Sequence, residues 1–285
     1  MNRIVYLLFA CALAAAANGQ NTLRPSLYFQ NQNLNYYNPA AGFNSAETDL
    51  ALTLYGRVKS VDSPVWDKPM TFFANYLGRL KGDAGFYSAS LLRDTYSFFN
   101  RTGLAVGYTR QYKVFNTRTL SLGGRAVFNF DRMNWAEAPQ FGQTGSGTRI
   151  TPDLDLGVQY EGNRLRVGLA VKNAFGSAAK LDGATLLKNQ REGYLNASFA
   201  LIRRENFTLS PYTLLQLNRD FGVDAGLYFS LYRRLNLSYQ FQLSELRSVF
   251  TAEANLTKNL HVGFAAGPSR LYRDADYDFL VGVNF

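Results

Sequence analysis

The sequence predicts an all-β protein, a transmembrane antiparallel up-and-down β-barrel of 14 strands in a bacterial outer membrane. Three observations predict it: an export-type N-terminus, no later apolar run long enough for a helical span, and repeated segments that alternate apolar and polar residues. In lipid every backbone polar group needs an internal partner, so a chain that crosses without helices must close into a barrel. Such barrels show stretches of about ten alternating residues separated by turn residues.

The chain divides into a signal peptide at 1–19, a periplasmic or lumen-entering segment at 20–46, and the barrel at 47–285. Met1–Asn2–Arg3 is basic, Ile4 to Ala17 is almost wholly apolar, and Ala17–Asn18–Gly19 ends in small residues before Gln20. That is the pattern of a secretory signal, and its apolar part is too short to span comfortably as an anchor. Cys11 is the only cysteine, and Leu8–Phe9–Ala10–Cys11 weakly resembles a lipoprotein processing site. The bulky Phe9 and the apolar continuation Ala12–Ala17 favour cleavage after Gly19 instead. Cleavage there leaves no cysteine, which excludes disulfide scaffolds, thiolate metal sites and cysteine nucleophiles.

The formal charge of +9 would suit nucleic acid in a cytoplasmic protein, but an exported chain meets phosphate first in lipid head groups and lipopolysaccharide. With 22 Phe and 18 Tyr, the chain is aromatic-rich for a soluble domain, which invites a strand-by-strand reading. In Leu235–Ser244, the residues Leu235, Leu237, Tyr239, Phe241 and Leu243 face one way and Asn236, Ser238, Gln240, Gln242 and Ser244 the other. Leu154, Leu156, Val158 and Tyr160 oppose Asp153, Asp155, Gly157 and Gln159. Leu165, Val167, Leu169 and Val171 oppose Arg164, Arg166, Gly168 and Ala170. A helix does not repeat at two residues.

If Gly162–Asn163 is a two-residue turn, Glu161 stands opposite Arg164, Gln159 opposite Arg166 and Asp153 opposite Lys172, a ladder of complementary groups on the lumen face. At the C-terminus Tyr277, Phe279, Val281, Val283 and Phe285 alternate to the last residue, resembling the assembly signal of outer-membrane barrels. Terminal residues of soluble domains usually fray.

Candidate strands fall near 47–59, 69–81, 83–93, 102–111, 118–130, 152–161, 164–172, 192–203, 206–217, 221–232, 235–244, 247–257, 260–267 and 275–285. The count is even, as single-chain bacterial barrels require. With both ends in the periplasm, the even-numbered connections are the short ones, and the two longest, Asp131–Thr151 and Asn173–Arg191, are odd. Two segments fit poorly. Pro211 sits inside the ninth strand, where it deletes a ladder bond unless a bulge takes it up, and Phe72 and Phe73 are adjacent in the second.

The chain is poor in catalytic parts, and the reading is that it is not an enzyme and has no catalytic, cofactor-binding or metal site. His261, the only histidine, turns toward the lumen by alternation, with Gly263 at the next lumen position. It reads as a structural residue, since catalysis needs a partner within reach. Gly142–Gln143–Thr144–Gly145–Ser146–Gly147 lacks the Lys-Ser/Thr of a phosphate loop and reads as a flexible extracellular loop. Asp274, Asp276 and Asp278 lack the glycine and distal glutamate of a calcium loop and read as a solvated rim. Arg57, Lys59, Arg79, Lys81, Arg203, Arg204, Arg233 and Arg234 lie at strand ends. They suit head-group phosphates rather than nucleic acid, which needs a contiguous basic face.

The stretch Ser26–Leu27–Tyr28–Phe29–Gln30–Asn31–Gln32–Asn33–Leu34–Asn35–Tyr36–Tyr37–Asn38–Pro39–Ala40–Ala41–Gly42 resembles the opening of PorP/SprF proteins of the type IX secretion system. Pro69–Met70–Thr71, Thr119–Leu120–Ser121–Leu122–Gly123–Gly124, Val171–Lys172–Asn173–Ala174–Phe175 and Leu209–Ser210–Pro211–Tyr212 are similar to later family segments. Tyr55–Gly56–Arg57–Val58–Lys59 departs from the family in lacking the tryptophan often found after the first-strand arginine, and the usual histidine near the last strand is absent. The resemblance implies an outer-membrane component that supports secretion or surface attachment of adhesins, including gliding-related ones. The partners it implies are type IX secretion components, a peptidoglycan-binding periplasmic protein and a secreted adhesin, with outer-membrane lipid and lipopolysaccharide around the barrel and no nucleic acid. The alternative is an outer-membrane pore for small solutes.

Overall fold

The computed structural model describes residues 29, 33–42, 49–60, 70–80, 85–96, 99–115, 118–134, 146–181, 184–217, 221–232, 234–243, 246–268 and 275–285. Its elements are a short helix α1 (Leu34–Tyr37) and strands β1 (Leu50–Ser60), β2 (Met70–Arg79), β3 (Gly85–Tyr96), β4 (Phe99–Lys113), β5 (Thr119–Asn134), β6 (Ser146–Glu161) and β7 (Leu165–Lys172). There follow β8 (Ala178–Leu181), β9 (Ala184–Lys188), β10 (Glu192–Phe199), β11 (Ile202–Arg204), β12 (Phe207–Leu217), β13 (Gly222–Leu231), β14 (Leu235–Gln242), β15 (Arg247–Asn255), β16 (Leu260–Pro268) and β17 (Ala275–Asn284).

Fourteen of these strands close an antiparallel ring, each pairing with its neighbour along the chain. The ring shuts where β1 meets β17, Leu52 opposite Val283 and Arg57 opposite Asp278. Strands β8 and β9 form a separate hairpin between β7 and β10. Closure leaves no unpaired edge, which is what lets strands stand in lipid.

The alternation sorts the two faces as the sequence predicts. In β17 Tyr277, Phe279 and Val281 are exposed on the outer wall, whereas Asp276, Asp278 and Leu280 are buried inside. In β6 Asp153, Asp155 and Gln159 are buried, and in β14 Leu235, Leu237 and Tyr239 are exposed while Gln240 and Gln242 are buried.

Four details differ from the sequence reading. Gly162 N donates to Leu165 O at 2.8 Å, so the β6–β7 turn centres on Asn163–Arg164 rather than Gly162–Asn163. Glu161 therefore stands opposite Arg166, with a 2.9 Å ion pair, and Gln159 opposite Gly168. A shift of two residues keeps every side chain on its face, so the pattern alone cannot detect it.

Strands β5 and β6 also run further than expected, into what reads as the 131–151 loop. Arg132, Thr148 and Arg149 there are exposed and polar, so the apolar–polar alternation that marks a lipid-facing strand is weak in this extension. The eighth candidate strand is split. Ser198 pairs with Tyr212 but Ile202 with Leu209, so three residues face two in a bulge. Pro211 lies in that bulge, where its missing N–H breaks no ladder bond. Finally, part of the predicted 173–191 loop is the β8–β9 hairpin.

Candidate functional site

The short sequence Asn33–Gly42 folds into a knot of local bonds before it meets the wall. Tyr36 N donates to Asn33 O at 2.8 Å and Asn38 N to Leu34 O at 2.8 Å, one helical turn. Pro39 ends it, because a residue before proline is pushed out of the helical region, and Asn38 is extended at φ −131°, ψ 108°. The Asn38 Oδ1 then accepts from Ala40 N at 2.9 Å, and Asn35 Nδ2 donates to Ala41 O at 2.8 Å. Asparagine suits such backbone-mimicking bonds.

This knot lies against the inward-facing side chains of the barrel. Asn38 Nδ2 is 3.0 Å from Gln159 Oε1, 3.1 Å from Val158 O and 3.3 Å from Asn196 Oδ1. Thr109 Oγ1 donates to Pro39 O at 2.8 Å. Arg125 donates through Nη1 to Asn35 O at 2.9 Å and through Nη2 to Tyr36 O at 3.0 Å, satisfying carbonyls that a helix end leaves open. The same guanidinium binds Asp155 Oδ2 at 2.7 and 3.1 Å. Asn38, Ala40 and Ala41 are almost wholly buried, as are Arg125 and Asp155.

Glycines on the lumen face make the close approach possible. A Cβ at Gly123 would stand 2.6 Å from Ala40 N and 2.7 Å from Pro39 C. At Gly157 it would meet Asn38 Oδ1 at 2.1 Å, at Gly168 Asn38 Nδ2 at 2.5 Å, and at Gly263 the Phe29 ring at 2.7 Å.

Beside this contact, among the polar side chains that line most of the lumen, stands one cluster of aromatic and aliphatic residues. Phe29 and Tyr37 pack with Tyr55, Phe73, Tyr194, Leu214, Val249 and Leu280, drawn from strands on opposite sides of the ring. Tyr36 sits edge-on to Phe73 at 5.2 Å, Tyr37 lies 5.4 Å from Tyr194, and the Lys172 ammonium is 3.6 Å from the Tyr36 ring centre. Phe73 thus breaks the alternation because it turns inward to this cluster, while Phe72 faces outward. Each fully buried aromatic contributes about 1.5–3 kcal/mol of burial free energy.

The residues singled out in the sequence are scattered around this site. His261 faces inward, as the alternation reads it, with Nε2 3.8 Å from Glu253 Oε1. Asp276 and Asp278 are not a solvated rim: both are buried, Asp276 against Arg247 and Asp278 against Arg57 at 2.7 Å and the Tyr55 hydroxyl. Arg57 is consequently a wall residue and not a head-group ligand. Arg203, Arg204 and Arg234 are exposed, and Arg79 lies 3.8 Å from Asp49.

The side chain of Lys59, and Lys81, Arg233 and Asp274 altogether, fall outside the described residues. So do 142–145 of the glycine-rich stretch, whereas Ser146–Gly147 begin β6 rather than sit in a flexible loop. Among the described residues no cluster of His, Cys, Asp and Glu could hold a metal ion. Sequence reasoning missed Arg125 and the glycine floor. The glycines carried a signal, since a glycine inside a strand often marks close approach of another backbone; Arg125 carried none.

Comparison with known proteins bears on this arrangement. The family described as "Type IX secretion system membrane protein PorP/SprF" matches residues 17–268. Among curated proteins no sequence matches. Solved structures of similar shape include the toluene transporter TbuX of Ralstonia pickettii, at 10% identity and TM-score 0.56, covering 88% of this chain and 92% of that one. The toluene transporter TodX of Pseudomonas putida is 11% identical with TM-score 0.52, covering 91% and 94%. The outer membrane protein Omp33 of Acinetobacter baumannii is 10% identical with TM-score 0.50, covering 82% and 97%. At such identities the likeness is one of fold.

Proposed function

The chain belongs to the PorP/SprF family of type IX secretion system membrane proteins, and on that footing we propose that it acts as a docking barrel rather than a solute pore. It is an outer-membrane β-barrel of a non-enzymatic family. In the proposed role it holds a peptidoglycan-binding protein on the periplasmic side and supports secretion or surface attachment of an adhesin on the other.

The observation that carries the reading is the occupied lumen. Barrels of this size enclose space that must be filled by loops, a plug or water. Here a segment of the chain's own N-terminal part reaches strands around the ring through Asn38, Arg125, Thr109 and the aromatic cluster. A barrel so filled offers its rims and loops to partners more readily than its interior to solutes.

Residues 1–19 are proposed to be removed on export, leaving 20–46 to lead into the barrel. N-terminal sequencing of the protein from outer membranes is expected to begin at Gln20, and a lipidated Cys11 would replace that outcome. The docking role is tested by affinity purification of the tagged protein from mildly solubilised native outer membranes, followed by mass spectrometry. Recovery of type IX components, a peptidoglycan-binding protein or a large adhesin is expected. A barrel that emerges alone, intact and repeatedly, would sink the docking role in favour of a pore.

A further inference from the structure

The loop after β7 is tied to the same side chains that hold the lumen segment. Asn173, at φ 53°, reverses the chain in the left-handed region. Its N–H donates to Asp155 Oδ1 at 2.9 Å, and Ala174 N donates to Leu154 O at 2.8 Å. Phe175 N and Ser177 N donate to Asp153 Oδ1 and Oδ2 at 3.0 and 3.2 Å. From the far side of the β8–β9 hairpin, Asn189 Nδ2 donates to Asp153 Oδ2 at 3.2 Å and to Thr151 Oγ1 at 3.3 Å. Asn189 N closes the loop on Ser177 O at 2.8 Å.

Asp155 is the hinge of this arrangement. One of its oxygens takes the loop backbone, and the other takes Arg125, whose remaining donors hold Asn35 O and Tyr36 O. Lys172, the last residue of β7 before the loop, lies over the Tyr36 ring. Asp155 and Arg125 are 1% and 3% exposed, so neither gains much from water if its partner leaves. Departure of the loop would leave Asp155 Oδ1 a buried acceptor without the Asn173 N–H, and bonds within one buried polar network strengthen one another. The loop stands at the rim opposite the one where the first and last strands of the barrel begin and end, since β7 leads away from the β6–β7 turn.

We propose that the 173–177 turn with Asn189, and the 33–42 segment, form one two-state latch, so that a partner drawing the turn off β6 also loosens the segment inside the barrel. The proposal builds on the docking reading, giving it a route by which an event at one rim reaches the lumen. The 173–177 turn supplies the contact with Asp155, Asp153 and Asn189 hold that turn in place, and Arg125 passes the change to the carbonyls of α1. Asp153, Asp155 and Arg125 are thus positioning residues.

The test is hydrogen exchange of the full-length protein in nanodiscs, read separately over peptides covering 173–191 and 33–42. Asp153→Ala removes a loop anchor with no bond to the segment. It is expected to speed exchange about tenfold in both peptides. Arg125→Lys is expected to do the same, and the double variant to add little in 33–42, because the two act through one network. Asp276→Asn, which breaks the separate Arg247 pair, is expected to leave 33–42 unchanged.

Faster exchange confined to 173–191 in Asp153→Ala would overturn the latch, as would equal loosening of 33–42 by Asp276→Asn. Rapid exchange of 33–42 already in the unsubstituted protein would instead overturn the occupied lumen on which the docking reading stands. If heat-modifiable mobility on a gel shows that Asp153→Ala does not fold, Asn189→Ala takes its place with the same outcomes.

Discussion

Gly123→Ala should expel the lumen segment while leaving the barrel intact. The added methyl would stand 2.6 Å from Ala40 N, 2.7 Å from Pro39 C and 2.8 Å from Ala40 Cα. All three are backbone atoms, held in place by Thr109, Asn38 and Arg125, so no flexible side-chain end can yield. Overpacking of this kind costs about 1–3 kcal/mol. As each 1.4 kcal/mol is about tenfold, the undocked population rises roughly five- to a hundred-and-fortyfold. Gly124→Ala is the matched control on the other face, where the nearest atom is Leu156 Cδ2 at 3.7 Å.

Chymotrypsin reads the difference, since Tyr36 and Tyr37 are targets only when the segment leaves the lumen. Cleavage of a transiently opened state follows its equilibrium population when reclosing is fast. The Gly123→Ala protein is expected to be cut there about five to a hundred and forty times faster than the unsubstituted and Gly124→Ala proteins. Equal rates in all three would refute the close packing of Pro39–Ala40 on β5.

Other substitutions probe the same contacts. Asn38→Ala removes the amide that bonds Gln159, Val158 O and Asn196, costing about 1–3 kcal/mol. Asn38→Asp should be worse, because a carboxylate would face three acceptors, and the chymotrypsin assay ranks the two. Phe73→Ala should lower barrel stability by about 3–5 kcal/mol through a cavity in the lumen cluster, whereas Phe72→Ala should cost less since lipid fills the space. Urea titration followed by heat-modifiable mobility compares them. Glu161→Gln breaks a half-exposed pair with Arg166 and should change stability by no more than about 1 kcal/mol in that titration.

The strands were legible because the bilayer enforces a strict rule on their outer faces. Tyr277, Phe279 and Val281 must be apolar wherever lipid touches them, and the ring of fourteen follows from counting such segments. Register was not legible. Glu161 meets Arg166 instead of Arg164, and both alternatives place the same side chains inward. The extensions of β5 and β6 carry exposed polar residues such as Arg132, Thr148 and Arg149, and there the pattern has little contrast.

The lumen site was half-written in the sequence. Gly157 and Gly168 stood at lumen positions, Asn38–Pro39–Ala40–Ala41–Gly42 was conspicuous, and Phe73 broke the alternation. What joins them is tertiary. Arg125 meets Asn35 and Tyr36 across some ninety residues of chain, and no local period announces such a bond. The reading of Asp276 and Asp278 as a solvated rim failed for the same reason, since their partners Arg247 and Arg57 lie on other strands.

Planar-bilayer conductance of the purified full-length protein tests the central claim most directly. An occupied lumen predicts no sustained opening in the unsubstituted protein, with openings appearing in Gly123→Ala and Asn38→Ala. A stable, large conductance in the unsubstituted protein, unchanged by either substitution, would contradict it and make the barrel a pore.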